Sequence, residues 1–162
     1  MSTASEALFA ALDPEMLVVT ACDGNERAGC LVAFAMQCSI DPPYFVVAIS
    51  VLNHTLDIAR RAEGLGVHLL NVEQEDLARL FGAESGDELD KFSRCAWHDG
   101  RTGAPILDDC PVWIDGRVVA TFDFGDHVGF QLDPIDGGGG LLHRAFRRSD
   151  VNFAAGHPVQ RS

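Results

Sequence analysis

"CLVAFAMQCSIDPPYFVVAIS", residues 30–50, holds two apolar runs separated by an Asp-Pro-Pro stop. The second run, 44–50, is aromatic and β-branched almost throughout, which suits a pleated, half-buried surface and predicts a strand. The first run, 30–39, is apolar at successive positions, so it is predicted to be buried on both faces as a central strand. Proline donates nothing to a strand ladder and holds the residue before it extended, so 41–43 ends the first strand. Two strands joined by so short a stop run antiparallel.

Upstream, "MLVVTAC" (16–22) is a further strand, and "DGNERAG" (23–29) opens with the Asp-Gly of a hairpin. "SEALFAAL" (5–12) sets Leu8, Phe9 and Leu12 at helical spacing between a Ser5 cap and Pro14. Downstream, "NHTLDIARRAEG" (53–64) predicts a helix with polar caps and Gly64 past its end. "LGVHLLNV" (65–72) predicts a strand, and "EQEDLARLFG" (73–82) a short helix, acidic in its first turn and closed by Gly82. Residues 83–110 are polar and broken by Gly and Pro. They read as loop with one short helix near 87–92, and so long a loop is often functional. "PVWIDGRVVATFDF" (111–124) predicts a long strand bulged at Asp115-Gly116, and a Gly125-Asp126 turn leads into "HVGFQLDPI" (127–135). "GGGG" (137–140) reads as a flexible connection and "LLHRAFRRS" (141–149) as a last strand. Six or seven short strands, mostly antiparallel, with two or three helices predict a mainly β fold, a closed or split barrel, in one domain over 1–162.

Composition narrows the partners. Twelve Lys and Arg against 24 Asp and Glu leave a formal charge of −12. Nucleic acid needs a basic surface, so it is excluded, and any anionic ligand has to be held locally by amides, hydroxyls or a helix terminus. No apolar run approaches the ~20 residues of a membrane span, and the N-terminus has no basic leader. A cytoplasmic protein without membrane contact is expected. The five cysteines are expected as reduced thiols, with Cys22, Cys30 and Cys38, eight residues apart, in the core.

Most chemical motifs fail on spacing. "GGGG" matches neither a dinucleotide fingerprint nor a P-loop. "CAWH" (95–98) is a single Cys-x2-His pair, and with only Cys110 beyond it no zinc site is expected. There is no Gly-x-Ser-x-Gly elbow. "GDHVGF" (125–130) puts His127 directly after a Gly-Asp turn; taken alone, it is a catalytic group, a metal ligand or a polar residue bonded to backbone. Asp126 reads equally as a turn residue.

Taken together, "CLVAFAMQCSIDPPYFVVAIS", "NHTLDIAR", "LGVHLLNVEQEDLARLFG", "DELDKF" and "GDHVGF" resemble, in order, the flavin reductase-like family of FMN-binding split-barrel proteins. "LHRAFRRS" (142–149) is similar to the family's basic tail strand, so the resemblance covers about 14–149. It implies an antiparallel split β-barrel with flanking helices, usually a homodimer, holding FMN or FAD between barrel and partner. The implied activity is reduction of the flavin by NADH or NADPH, often to supply a separate flavin-dependent monooxygenase. By position, Ala33, Phe34, Gln37, Cys38 and Ser39 match the flavin-contacting segment, and Ser50, Val51, Asn53 and Thr55 the phosphate and ribityl segment. Lys91 and Phe92 match a phosphate contact and a ring contact; their alternative is an exposed helix end with one buried aromatic. His127 would be the catalytic residue, orienting nicotinamide or donating a hydrogen bond or proton near the flavin. His54, His98, His143 and His157 read as surface residues, and Arg144, Arg147 and Arg148 as a solvated face or a reach to a cofactor phosphate across a dimer.

The departures from the family concern the phosphate. Ala33 and Met36 replace small polar residues, the 50–53 segment carries apolar Val51 and Leu52 where a basic residue is frequent, and His68 stands where Asn is common. Weak phosphate affinity suits a flavin used as substrate. The alternatives to a reductase are a non-catalytic flavin carrier and an oxidoreductase of the deazaflavin F420.

Overall fold

A computed structural model describes residues 3–83 and 90–156. Helix α1 (Thr3–Leu12) precedes β1 (Leu17–Cys22), β2 (Arg27–Val32), β3 (Ala35–Gln37), β4 (Phe45–Ser50), α2 (Thr55–Arg61), β5 (Gly64–Leu69) and α3 (Glu75–Ala83). A 3-10 turn (Lys91–Ser93) leads to β6 (Trp97–Asp99) and β7 (Pro105–Leu107). The hairpin β8 (Trp113–Asp123) and β9 (His127–Gly138) follows, then a second 3-10 turn (Arg148–Asp150).

Seven strands form one antiparallel sheet in the order β2-β1-β5-β8-β9-β4-β3. The run 30–39, expected as one central strand, is therefore two strands, and they occupy the two edges of the sheet. Only Ala33 and Phe34 separate β2 from β3. Three peptide links span at most about 11 Å, so the two edges must approach each other and the sheet closes into a barrel. The seam is bridged by the chain, with no ladder between β2 and β3.

One hydrophobic cluster fills the barrel. Alternate residues Leu17, Val19 and Ala21 of β1 meet Val47 and Ile49 of β4 and Val128, Phe130 and Leu132 of β9, and Leu56, Ile58 and Ala59 of α2 pack against them. Val18 on the other face of β1, with Met16 just before the strand, joins a second cluster that includes Ala78, Phe81, Phe92, Leu107 and Phe146. Both faces of β1 are buried, as its unbroken apolar run requires.

Several boundaries differ from expectation because distant partners decide them. α1 starts at Thr3, so Ser5 lies in its first turn, and Leu8, Phe9 and Leu12 are exposed. α2 ends where Ala62 turns extended, and Gly64 opens β5 opposite Arg117 instead of capping the helix. Gly82 lies within α3. The 83–110 stretch is less irregular than expected: β6 and β7 pair antiparallel, and Asp90 caps the 3-10 turn by accepting from the Phe92 N–H (3.1 Å). Residues 87–89 of the short helix expected near 87–92 lie outside the described residues. The bulge at Asp115/Gly116 is present, with a second between Val118 and Ala120. Gly137 and Gly138 are strand, opposite Ile114 and Trp113. The Trp113 indole lies where a Cβ on Gly138 would be, so glycine lets the ring pack on the backbone. Residues 141–149 make only the bridges Asn71–Ala145 and Glu15–Arg147, not a strand.

Candidate functional site

The site is built where β4, β9 and the end of β2 meet. Ser50 and His127 are register partners across β4 and β9. The β8–β9 turn is set by Gly125 at φ 92° and by Asp123, whose carboxylate accepts from the Gly125 N–H (2.8 Å). The Val51 N–H then donates to the Asp126 carbonyl (3.0 Å), tying the exit of β4 to that turn. Phe34 extends β3, its carbonyl accepting from the Ala48 N–H (2.9 Å).

Strand alternation sorts the side chains. Val47, Ile49, Val128 and Phe130 point into the barrel, so Phe34, Met36, Ala48, Ser50, His127 and Gly129 share the outer face. Phe122 lies opposite Gly129, and the Phe124 ring packs where a Gly129 Cβ would be. The Phe122 and Phe124 rings are stacked, 6.1 Å apart at 4°. The result is an apolar outer surface: Phe34, Met36, Phe122 and Phe124 are 50%, 62%, 45% and 56% exposed.

His127 stands on this surface. Its ring meets Phe34 edge-on at 5.0 Å. Its Nδ1 lies 2.8 Å from Asp126 Oδ1, and the same hydrogen bond holds the Asp126 carboxyl below the usual carboxylate range. With Nδ1–H donating to Asp126, Nε2 is the open nitrogen, without a hydrogen-bond partner among the described residues.

The structure brings together Phe34, Ser50, Val51 and His127 of the sequence-derived set. Several others have internal roles. Ser39 Oγ donates to the Pro42 carbonyl (2.5 Å) and accepts from the Tyr44 N–H (2.9 Å), while Gln37 Nε2 donates to the Ser39 carbonyl (2.9 Å). Cys38 is exposed on that turn, contrary to its expected core position; Cys22 is half-buried and Cys30 buried. Ala33 packs against the second cluster. Ser50 Oγ accepts from the Leu52 N–H (3.2 Å), and Asn53 Oδ1 from the Thr55 N–H (3.0 Å). Thr55 is buried beside Cys30. Lys91 is neither exposed nor turned to the outer face: it is buried, and Nζ donates to the Gly29 and Phe81 carbonyls, each 3.2 Å away. Phe92 sits between Phe81 (5.7 Å) and Trp97 (5.8 Å) in the second cluster.

Other titratable groups are structural. His68 is fully buried; its Nδ1–H donates to the Val18 carbonyl (2.9 Å) and Nε2 accepts from the Leu107 N–H (3.0 Å). Burial pushes its pKa down to about 4. Burial likewise pushes the Cys30 thiol up to about 11 and Cys110 up to about 12, so neither is a thiolate nucleophile. His54, His98 and His143 pair with Glu26, Asp108 and Glu73 near the surface, and His157 lies outside the described residues. Arg144 and Arg147 pair with Asp150 and Glu15. The sequence reading missed Phe122 and Phe124; their signal was "FDF" (122–124), aromatics two apart and directly before the turn that carries His127.

An open aromatic face suits a planar ring. A family profile described as "Flavin reductase like domain" matches residues 12–138. The FMN reductase (NADH) RutF of Bradyrhizobium diazoefficiens is 32% identical over 120 residues, covering 74% of this chain and 66% of that protein. The 4-hydroxyphenylacetate 3-monooxygenase reductase component of Klebsiella oxytoca is 28% identical, covering 77% of this chain and 74% of that one. Among solved structures, an FMN-binding protein from Thermus thermophilus with bound 1-cyclohex-2-enone superposes with a TM-score of 0.72 at 26% identity, over 78% of this chain and 70% of that chain. The chain thus spans about two thirds to three quarters of these relatives, and no helix among the described residues is long and apolar enough to cross a membrane. With the profile covering most of the barrel and of the His127 hairpin, the chain belongs to the flavin reductase-like domain family, and its fold is that family's antiparallel split barrel.

Proposed function

We propose that this chain is an NADH-dependent flavin reductase that passes hydride from the nicotinamide to FMN. The observation that carries the reading is the grouping of Phe34, Ser50 and His127 on an open aromatic face, in a chain of the flavin reductase-like family. The apolar side chains fit the flavin ring, and the open Nε2 of His127 fits a polar edge of flavin or nicotinamide. The flavin supplies the two-electron acceptor when bound. Phe34 and the sheet face then exclude water from one side of the ring, and Asp126 fixes His127 with Nε2 outward. Ser50 and Val51 border the same face, so together with Asn53 they would hold the flavin's side chain. Ala33, Gln37, Cys38 and Ser39 would act by shaping the β3 edge. Lys91, Phe92 and Thr55 would act from within the fold.

The exposed faces also support a homodimer. Leu8, Phe9 and Leu12 of α1 and Phe34, Phe122 and Phe124 of the outer face are large apolar side chains left exposed, and a second copy of the chain is the occupant proposed. A cytoplasmic, single-domain protein that hands reduced flavin to a separate monooxygenase completes the proposal, by analogy with the Klebsiella reductase component.

Anaerobic mixing with FMN and NADH tests the activity by loss of the flavin's visible absorbance. Acceleration over the protein-free rate, reduced in His127→Ala, supports the reading. Flavin binding without acceleration by NADH or NADPH would replace it with a carrier or a deazaflavin enzyme. Equilibrium sedimentation tests the dimer: a monomer at micromolar concentration would remove it.

A further inference from the structure

We infer that the β8 side of His127 receives the hydride donor: Phe124, seated on Gly129, is the residue against which the nicotinamide ring is placed. The inference rests on the flavin reductase reading, with the flavin on the Phe34 side.

Strand register lays out the face. Ser50 on β4 is the partner of His127 on β9, and the Phe124 N–H donates to the His127 carbonyl (2.9 Å) from just past the end of β8. One row along, the Phe34 carbonyl accepts from the Ala48 N–H (2.9 Å), Ala48 pairs with Gly129, and Gly129 pairs with Phe122. Aromatic side chains thus stand at both flanks of that row, and between them lie only Ala48 and Gly129. Three strand spacings, about 14 Å, separate the flanking backbones, so the face has room for two rings in contact. Hydride transfer requires that contact, with the reacting atoms about 3–3.5 Å apart.

The two flanks differ in extent. Phe34 is continued along β3 by Met36 on the same face, and Ser50 and Val51 border it, which suits the larger ring system and its side chain. The β8 flank is the pair Phe122 and Phe124, on the opposite side of His127. The His127 ring stands between the flanks, edge-on to Phe34 at 5.0 Å and with its Nδ1 held by Asp126. A flavin placed against Phe34 leaves the β8 flank to the second reactant.

Gly129 gives that flank its shape. A Cβ there would collide with the Cε2, Cζ and Cδ2 atoms of Phe124, so a larger residue would displace the ring. Glycine lets the ring settle over the β9 backbone beside His127, with the Phe122 ring parallel to it within 4°. More than half of Phe124 is exposed, and an aromatic ring attracts both a flat neutral ring and a cationic one. The nicotinamide gives up a hydride, one proton with two electrons, to the flavin and is left cationic. The Phe124 ring therefore suits the donor in both its reduced and its oxidised form.

The test compares Phe124→Ala, Gly129→Ala and Phe124→Tyr with the parent chain. Each is measured for NADH KM, for FMN binding by fluorescence quenching, and for NAD+ binding to the FMN-saturated protein by calorimetry. Phe124→Ala should raise the NADH KM and weaken NAD+ binding about five- to ten-fold, with FMN binding within about two-fold of the parent. Phe124→Tyr keeps the ring and should match the parent. Gly129→Ala should shift both donor constants in the same direction by pushing the ring aside, and combining it with Phe124→Ala should add nothing further. Weakened FMN binding with an unchanged NADH KM would overturn the inference and make Phe124 a flavin contact. Donor constants unmoved in every variant, or full additivity of the two alanine substitutions, would also overturn it. So would urea midpoints that fall in proportion to the donor constants, since the ring would then be structural. No reduction of FMN by NADH in the parent chain sinks the flavin reductase reading and this inference with it, whereas an active parent with unshifted variants sinks the inference alone.

Discussion

His68 on β5 and His127 at the start of β9 belong to one sheet, yet their surroundings are opposite. His68 has no exposure, and both ring nitrogens are engaged, one by the Val18 carbonyl and one by the Leu107 amide. His127 is 23% exposed, with one nitrogen held by Asp126 and the other open toward an apolar surface. A saturated imidazole in the interior is a clamp: it joins β1 to β7, and with them the barrel to the 90–110 segment. An imidazole fixed on one side and open on the other is available to a ligand. The same side chain is structural in one place and chemical in the other because of what its second nitrogen meets.

Removing the clamp should have the largest effect. His68→Ala leaves a buried carbonyl and a buried amide without partners and opens a cavity, for a loss of about 4 kcal/mol in unfolding free energy by urea titration. A loss below about 1 kcal/mol would end the distinction between the two histidines. Acid should act on the same residue. The unfolded chain takes up the His68 proton near the ordinary 6.5, whereas the folded chain resists until about 4. Its contribution is thus fully present above about pH 6.5 and is lost as pH falls toward 4, in total about 3 kcal/mol. Urea midpoints measured across that window should fall steadily in the parent chain and more shallowly in His68→Asn.

The effects at His127 are smaller and of a different kind. His127→Ala should slow flavin reduction about ten- to a hundred-fold while moving unfolding free energy by less than about 1 kcal/mol. A large stability loss with proportionate loss of activity would make it a second clamp. Asp126→Asn, at an exposed carboxylate, should lower turnover by no more than about five-fold and alter its pH profile, because only the orientation of the ring depends on it. An unaltered profile would show that Asp126 is only a turn residue.

Legibility followed the range of the interactions. β1, β4, α2 and the His127 hairpin were readable because local apolar patterning and turn chemistry specify them. The break at Ala33–Phe34 was not: the residues on both sides are apolar and strand-forming, and the turn exists because β2 and β3 lie on opposite edges of one sheet. Likewise "GGGG" looked flexible on its own composition, but Trp113 across the hairpin makes half of it a strand. Lys91 looked exposed because lysine usually is. Two carbonyls and the Phe81 ring hold it inside.

By itself, the sequence determined the mainly β architecture, the family and the hairpin that presents His127. These depend on composition, short-range periodicity and motif spacing, all of which lie along the chain. Only the tertiary structure decided that the first apolar run spans the barrel seam, that Phe34, Phe122 and Phe124 share a face with His127, and that His68 and Lys91 are interior. Period-two patterning reports which side of a strand is apolar, but what covers that side depends on residues far away in the chain.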